Sequence, residues 1–133
     1  MSTVLAAADW LLSALHMAVV LAFVLLWIPR STARFHGWLV LVTAFSWLVL
    51  GVLGNRGLGY CFLTDLQWHV KHARGVTHLP GSFLKYAGDH VTGRNLKAAL
   101  VDQVAGATFI FVCLAAAFRY WQRRTLARRS RES

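Results

Sequence analysis

Asp9, Ser13 and His16 stand at i, i+4 and i+7, a spacing that places all three on one face of a helix. That face lies inside an apolar run over residues 5–28. An ionisable side chain within a membrane span costs roughly 2.5–3.5 kcal/mol on insertion scales, so an acid and an imidazole there are expected to face protein. Asp102 lies in another apolar run, on the helical face of Gly106, Cys113 and Ala117, and joins the same intramembrane cluster. If Asp9 or Asp102 bonds His16, the pair would suit a proton relay, a ligand site or an axial ligand to haem. The simpler reading is a clamp, in which acid and imidazole bond across the bundle and small residues such as Gly106 let helices approach. Thr43 and Ser46 fit that reading as hydroxyls bonded within their own helix.

A second constellation is Asp65-x-x-x-His69-x-x-His72, again one helical face, with His78 and His90 nearby. A carboxylate and two imidazoles are the ligand types of Zn²⁺ and similar divalent ions. Strong zinc signatures pair two separated clusters, however, and Lys71 and Arg74 alongside would repel a cation. A solvated polar face of an interfacial helix explains the same residues more simply. Two cysteines, Cys61 and Cys113, are too few for a disulfide framework. No hydrolase elbow, phosphate-binding glycine loop or paired catalytic carboxylate motif occurs, which argues against an enzyme.

The elements that must position these residues are apolar runs over 5–28, 38–53 and 98–121. They occupy about half of the 133 residues, and only 14% of the chain is charged. With a mean hydropathy of +0.51, they describe an integral membrane protein, since roughly 20 apolar residues of helix cross the hydrocarbon layer. The expected spans are about 5–28, 36–53 and 96–121. The first lacks a cleavage site and ends at Trp27-Ile28-Pro29-Arg30, an aromatic anchor, a helix breaker and a cation, so it is expected to remain a span.

The net charge of +9 would suggest nucleic acid in a soluble protein. Arg30 and Arg34 after the first span, and Arg123, Arg124, Arg128, Arg129 and Arg131 in a basic tail over 122–133, instead mark the cytoplasmic side of a membrane. Nucleic acid is not expected as a partner. With three spans the N-terminus is outside and the loop over 54–95 is extracytoplasmic. Re-entry of 60–73 would give a four-span alternative.

Within that loop, Leu63, Leu66, Val70 and Ala73 recur at helical spacing with Asp65, His69 and His72 opposite. Phe83, Leu84, Ala87 and Val91 share a face after a plausible Ser82 cap. Both segments read as amphipathic helices, lying on the membrane surface or capping the bundle. Asn95 is expected to cap the last span, and Gly57-Leu58-Gly59 reads as a turn.

The segment from Asp9-Trp10-Leu11-Leu12-Ser13-Ala14-Leu15-His16 onward resembles the opening helix of a family of small bacterial membrane proteins. That family carries the domain-of-unknown-function label two-seven-eight-four. Cys61-Phe62-Leu63-Thr64-Asp65-Leu66-Gln67 is similar to its Cys-Pro-Leu-Thr-x-Leu-Glu motif, and Gly81-Ser82-Phe83-Leu84-Lys85-Tyr86 to a stretch before its last span. Phe62 stands for the usual proline and Gln67 for an acid. The resemblance implies a multi-span inner-membrane protein and singles out His16, Cys61, Thr64 and Asp65.

The expected architecture is an all-α membrane protein with three transmembrane helices and one or two interfacial helices in the second loop. The expected role is an accessory or scaffold subunit of a larger bacterial inner-membrane complex, in contact with lipid and with a membrane-protein partner or a second copy. The alternative is a haem-, metal- or proton-handling protein with its site around His16.

Overall fold

The structure, a computed structural model, describes residues 2–29, 31–55 and 59–132. Helix α1 spans Ser2–Leu25 and α2 spans Ala33–Ala44, continuing as a π-helical stretch over Phe45–Leu53. Two short helices follow, α3 over Phe62–Ala73 and α4 over Phe83–Thr92, and α5 runs over Ala98–Glu132. No strand occurs among the described residues. Three stretches, Thr3–Leu25, Ala33–Leu53 and Ala98–Arg128, are long and apolar enough to cross a membrane. The protein is therefore all-α, with three membrane-type helices and two short helices between the second and third.

Helix ends differ from the sequence reading for local reasons. The first helix stops at Leu25, where side chains satisfy carbonyls that have no helical partner. Thr32 Oγ1 donates to Leu26 O at 2.7 Å and to Pro29 O at 3.1 Å, while His36 Nε2 donates to Phe23 O at 3.0 Å. The last helix continues through the expected tail because 107–132 contain no glycine or proline and are rich in Ala and Arg. Arg119 Nη2 ties that helix to Ile28 O at 3.1 Å. Arg30, Arg56, Gly57 and Leu58 lie outside the described residues, as do the side chains of Arg129 and Arg131.

The apolar core is small and sits where α1, α2 and α5 meet. Phe23, Val40 and Val112 are buried there, and Phe109 stacks on both Phe23 and Trp47, with centroids 5.9 Å and 4.6 Å away. Most other large apolar side chains point outward, including Trp38, Leu41 and Val42. Lipid is the natural neighbour of such a surface.

Beyond Leu53 the chain folds back into the bundle. Ser46 Oγ donates to Tyr60 O at 3.0 Å and accepts from Phe62 N at 3.4 Å. Its hydroxyl therefore serves the loop, unlike Thr43, which bonds Leu39 O in its own helix at 2.8 Å. From that point α3 runs antiparallel to α1, from Cys61 beside His16 to Arg74 beside Asp9. At 12 residues it is only about 18 Å long, too short to cross the membrane and add a fourth span.

Candidate functional site

The polar stripe of α1 is matched by a polar stripe on α3. Thr64, Gln67 and Lys71 stand at i, i+3 and i+7 and are the buried residues of α3. The apolar side chains identified from periodicity do not form that buried face, and Leu66 is 42% exposed. The helix is inside out relative to a soluble protein. Its polar side meets Asp9, Ser13 and His16, because partnered polar groups are most favourable when shielded from an apolar surround.

At one end of the seam, Lys71 Nζ lies 2.8 Å from Asp9 Oδ1 and donates to Oδ2 at 3.1 Å. Arg74 Nη1 also pairs with Asp9 Oδ2. Lys71 donates further to the Tyr86 hydroxyl at 3.1 Å and sits over that ring, 4.5 Å from its centroid. Burial alone would weaken proton binding by Lys71; its hydrogen bonds with Asp9 and Tyr86 more than offset this and raise its proton affinity above the ordinary lysine value. Tyr86 is held edge-on to Trp68, whose Nε1 donates to Pro80 O at 2.8 Å.

In the middle, Gln67, wholly buried, donates from Nε2 to Ser13 Oγ at 2.6 Å. Ser13 in turn donates to Asp9 O at 2.8 Å. At the other end, His16 Nε2 faces Cys61 Sγ at 3.5 Å. The Phe83 ring lies flat on His16, with centroids 3.9 Å apart and planes 9° from parallel. Both rings are about 95% buried.

On α4, Ser82 caps the helix by accepting from Lys85 N at 3.3 Å. Asp89 ties α4 to the connection just before α5: Lys85 Nζ donates to its Oδ2 at 2.6 Å and Leu96 N to its Oδ1 at 2.8 Å. These donors hold its carboxyl below the usual aspartate value. Asn95 does not cap α5 with its side chain, because its Oδ1 accepts from Lys85 Nζ at 2.8 Å. Val91, placed on the apolar face in the sequence reading, is 82% exposed.

Of the residues singled out from sequence, Asp9, Ser13, His16 and Cys61 come together, and Thr64 is buried on the same face of α3. Asp102 does not join them. It lies exposed four residues after α5 begins, with Gln103 also exposed. Asp65 is half-buried, and its backbone carbonyl accepts from His69 Nδ1 at 2.7 Å. His69 and His72 are exposed, and no group of three or more metal-ligating side chains forms among the described residues. Gln67, Lys71, Arg74, Phe83 and Tyr86 are the seam residues that sequence reasoning did not place. For Gln67 and Lys71 the signal was present, since 64, 67 and 71 share one helical face as 9, 13 and 16 do.

The family described as Protein of Unknown function (DUF2784) matches this chain over residues 6–121, and the chain belongs to that family. No curated protein and no solved structure matches it.

Proposed function

We propose that this DUF2784 member is an accessory subunit of a bacterial inner-membrane complex, attached through α5 to a membrane helix of another protein. The observation that carries this reading is the outward stripe of α5. Leu100, Val104, Ala107, Phe111, Leu114, Phe118 and Trp121 follow alternating four- and three-residue steps, and all are exposed. That is the repeat by which one helix packs along another. Ala107 puts a small side chain within the stripe, which suits close approach by a neighbouring helix. The basic residues Arg34, Arg119, Arg123, Arg124 and Arg128 cluster at the end opposite the Asp9 seam, which supports an external N-terminus and a cytoplasmic C-terminus.

Native mass spectrometry of the protein gently extracted from its own membranes tests the reading. A stoichiometric second polypeptide is expected, and its loss in Ala107→Trp with helicity unchanged would locate the contact on α5. A chain that emerges alone or only as a homo-oligomer would overturn attachment to another protein. The approach of Cys61 to His16 favours a second reading, a metal-handling role, for which the chemistry is more specific.

A further inference from the structure

We propose that Cys61 and His16 form a binding site for monovalent copper, Cu(I), between α1 and the start of α3. The proposal is independent of attachment through α5.

The donor set selects the ion. A thiolate is a soft ligand that favours Cu(I), and imidazole also suits copper. No third His, Cys, Asp or Glu completes a group among the described residues, which disfavours the three- and four-ligand sites of zinc. Charge selects in the same direction. A Cys61 thiolate, a neutral His16 and one monovalent ion sum to zero, whereas a divalent ion would leave a net positive charge. In a seam covered by Phe83 and flanked by membrane-type helices, an uncompensated charge is costly. The thiol proton is released to water as the Cu–S bond forms, and copper keeps its oxidation state.

Geometry accommodates the ion. Sγ and Nε2 are 3.5 Å apart; bonds near the zinc lengths of about 2.3 Å to sulfur and 2.0 Å to nitrogen would span that gap in a bent arrangement, or a linear one once the pair opens to about 4.3 Å. Cys61 has room to make the adjustment because it precedes α3 in extended backbone, at φ −115° and ψ 116°. It is half-buried, leaving a path for entry, whereas His16 is enclosed beneath Phe83.

The surroundings also supply the usual support for a metal-bound histidine. Binding through Nε2 requires the proton on Nδ1, where a hydrogen-bond acceptor orients the ring. His16 Nδ1 and Gln67 Oε1 are both buried and lack a hydrogen-bond partner among the described residues. The Gln67 amide nitrogen is held by Ser13, one helical turn from His16, which leaves its oxygen available as an acceptor for the imidazole once the ion binds.

The test uses the full chain in nanodiscs, without oxygen, titrated with Cu(I) against a chromogenic chelator. One ion per chain is expected for the wild type and for Cys113→Ser, since Cys113 packs apart from the site against the α1–α2–α5 core. Cys61→Ser and His16→Gln should each weaken binding by about 10-fold or more, and Gln67→Leu by roughly 10-fold. Binding that survives Cys61→Ser unchanged would overturn the proposal. A measurement that leaves every seam residue intact guards against misfolding. In Cys113→Ser, Cu(I) should slow alkylation of Cys61 by N-ethylmaleimide. An unchanged rate, or equal protection by Zn²⁺ at the same concentration, would overturn the assignment.

Discussion

Lys71 Nζ lies 2.8 Å from Asp9 Oδ1, although the two stand 62 positions apart in the chain, and about 93% of each side chain is buried. The ammonium depends on the carboxylate for its place there, whereas the carboxylate has a second cation in Arg74. Asp9→Ala leaves an ammonium enclosed without its anion, and a loss of roughly 3–5 kcal/mol is expected. Lys71→Met should cost less, because Arg74 still pairs with Asp9 and the longer apolar side chain refills the space. Denaturant unfolding followed by circular dichroism in micelles measures both. Equal losses would mean that Arg74 does not share the carboxylate.

Gln67 tests the centre of the seam. Its amide donates to Ser13 at 2.6 Å, and the residue has no exposed surface. Gln67→Glu replaces that donor with an acceptor or a buried charge, although the size is unchanged. A loss of about 1–3 kcal/mol is expected, from the same unfolding measurement. A Glu tolerated without loss would imply that the seam repacks around Ser13.

How much of this was legible in the sequence depends on which solvent each pattern met. The three spans were readable because apolar length alone marks them. The Asp9–Ser13–His16 stripe was readable because ionisable groups inside a span seek protein. The buried face of α3 was not, because the pattern of Leu63, Leu66 and Val70 describes a helix resting its apolar face on the membrane surface or the bundle and gives the polar side no partner. Lys71 and Arg74, read from sequence only as charges that would repel a metal ion, are the partners of Asp9. Asp102 was drawn into the cluster as an intramembrane acid, yet its place near the start of α5 leaves it exposed. Ser82 could be recognised as a cap from its position alone, whereas the competition of Lys85 for Asn95 depends on a tertiary turn.

Acid should loosen the joint between α4 and α5. Asp89 ordinarily titrates near 3.8 and does so lower in the folded protein, chiefly because of Lys85 and then the Leu96 amide. A depressed folded value means that its stabilisation is complete above the unfolded value and is lost as pH falls through the folded one. Protection of the Leu96 amide from hydrogen exchange should therefore decline below about 3.8. Asp89→Asn should lack that step. The sign for Lys71 is opposite: its contribution is full below 10.5 and is lost as pH rises through the higher folded value.

Two glycines of the α4–α5 hairpin should respond differently to alanine. Gly93 closes α4 in the left-handed region at φ 64°, where a Cβ is strained, and Gly93→Ala is expected to cost about 1 kcal/mol. At Gly88 a Cβ would lie 2.9 Å from Leu96 Cδ1. That atom is the end of a flexible side chain, and helix propensity favours alanine by up to about 1 kcal/mol, so Gly88→Ala should be close to neutral. Thermal melts of the two variants distinguish the cases. A large loss at Gly88 would show that Leu96 cannot turn aside.

His36 carries a similar burden at the opposite end of the bundle. It is 2% exposed, donates to Phe23 O, and lies 6.3 Å from the Phe23 ring at 48°. The carbonyl belongs to the last turn of α1, where helical partners run out. His36→Phe keeps the ring packing and removes the donor, so its cost isolates the bond, expected at about 1–3 kcal/mol for an enclosed acceptor left unpaired. His36→Ala removes the ring as well and should cost more. If His36→Phe melts with the wild type, water or a neighbouring amide satisfies Phe23 O, and the end of α1 is held by Thr32 and Arg119 instead.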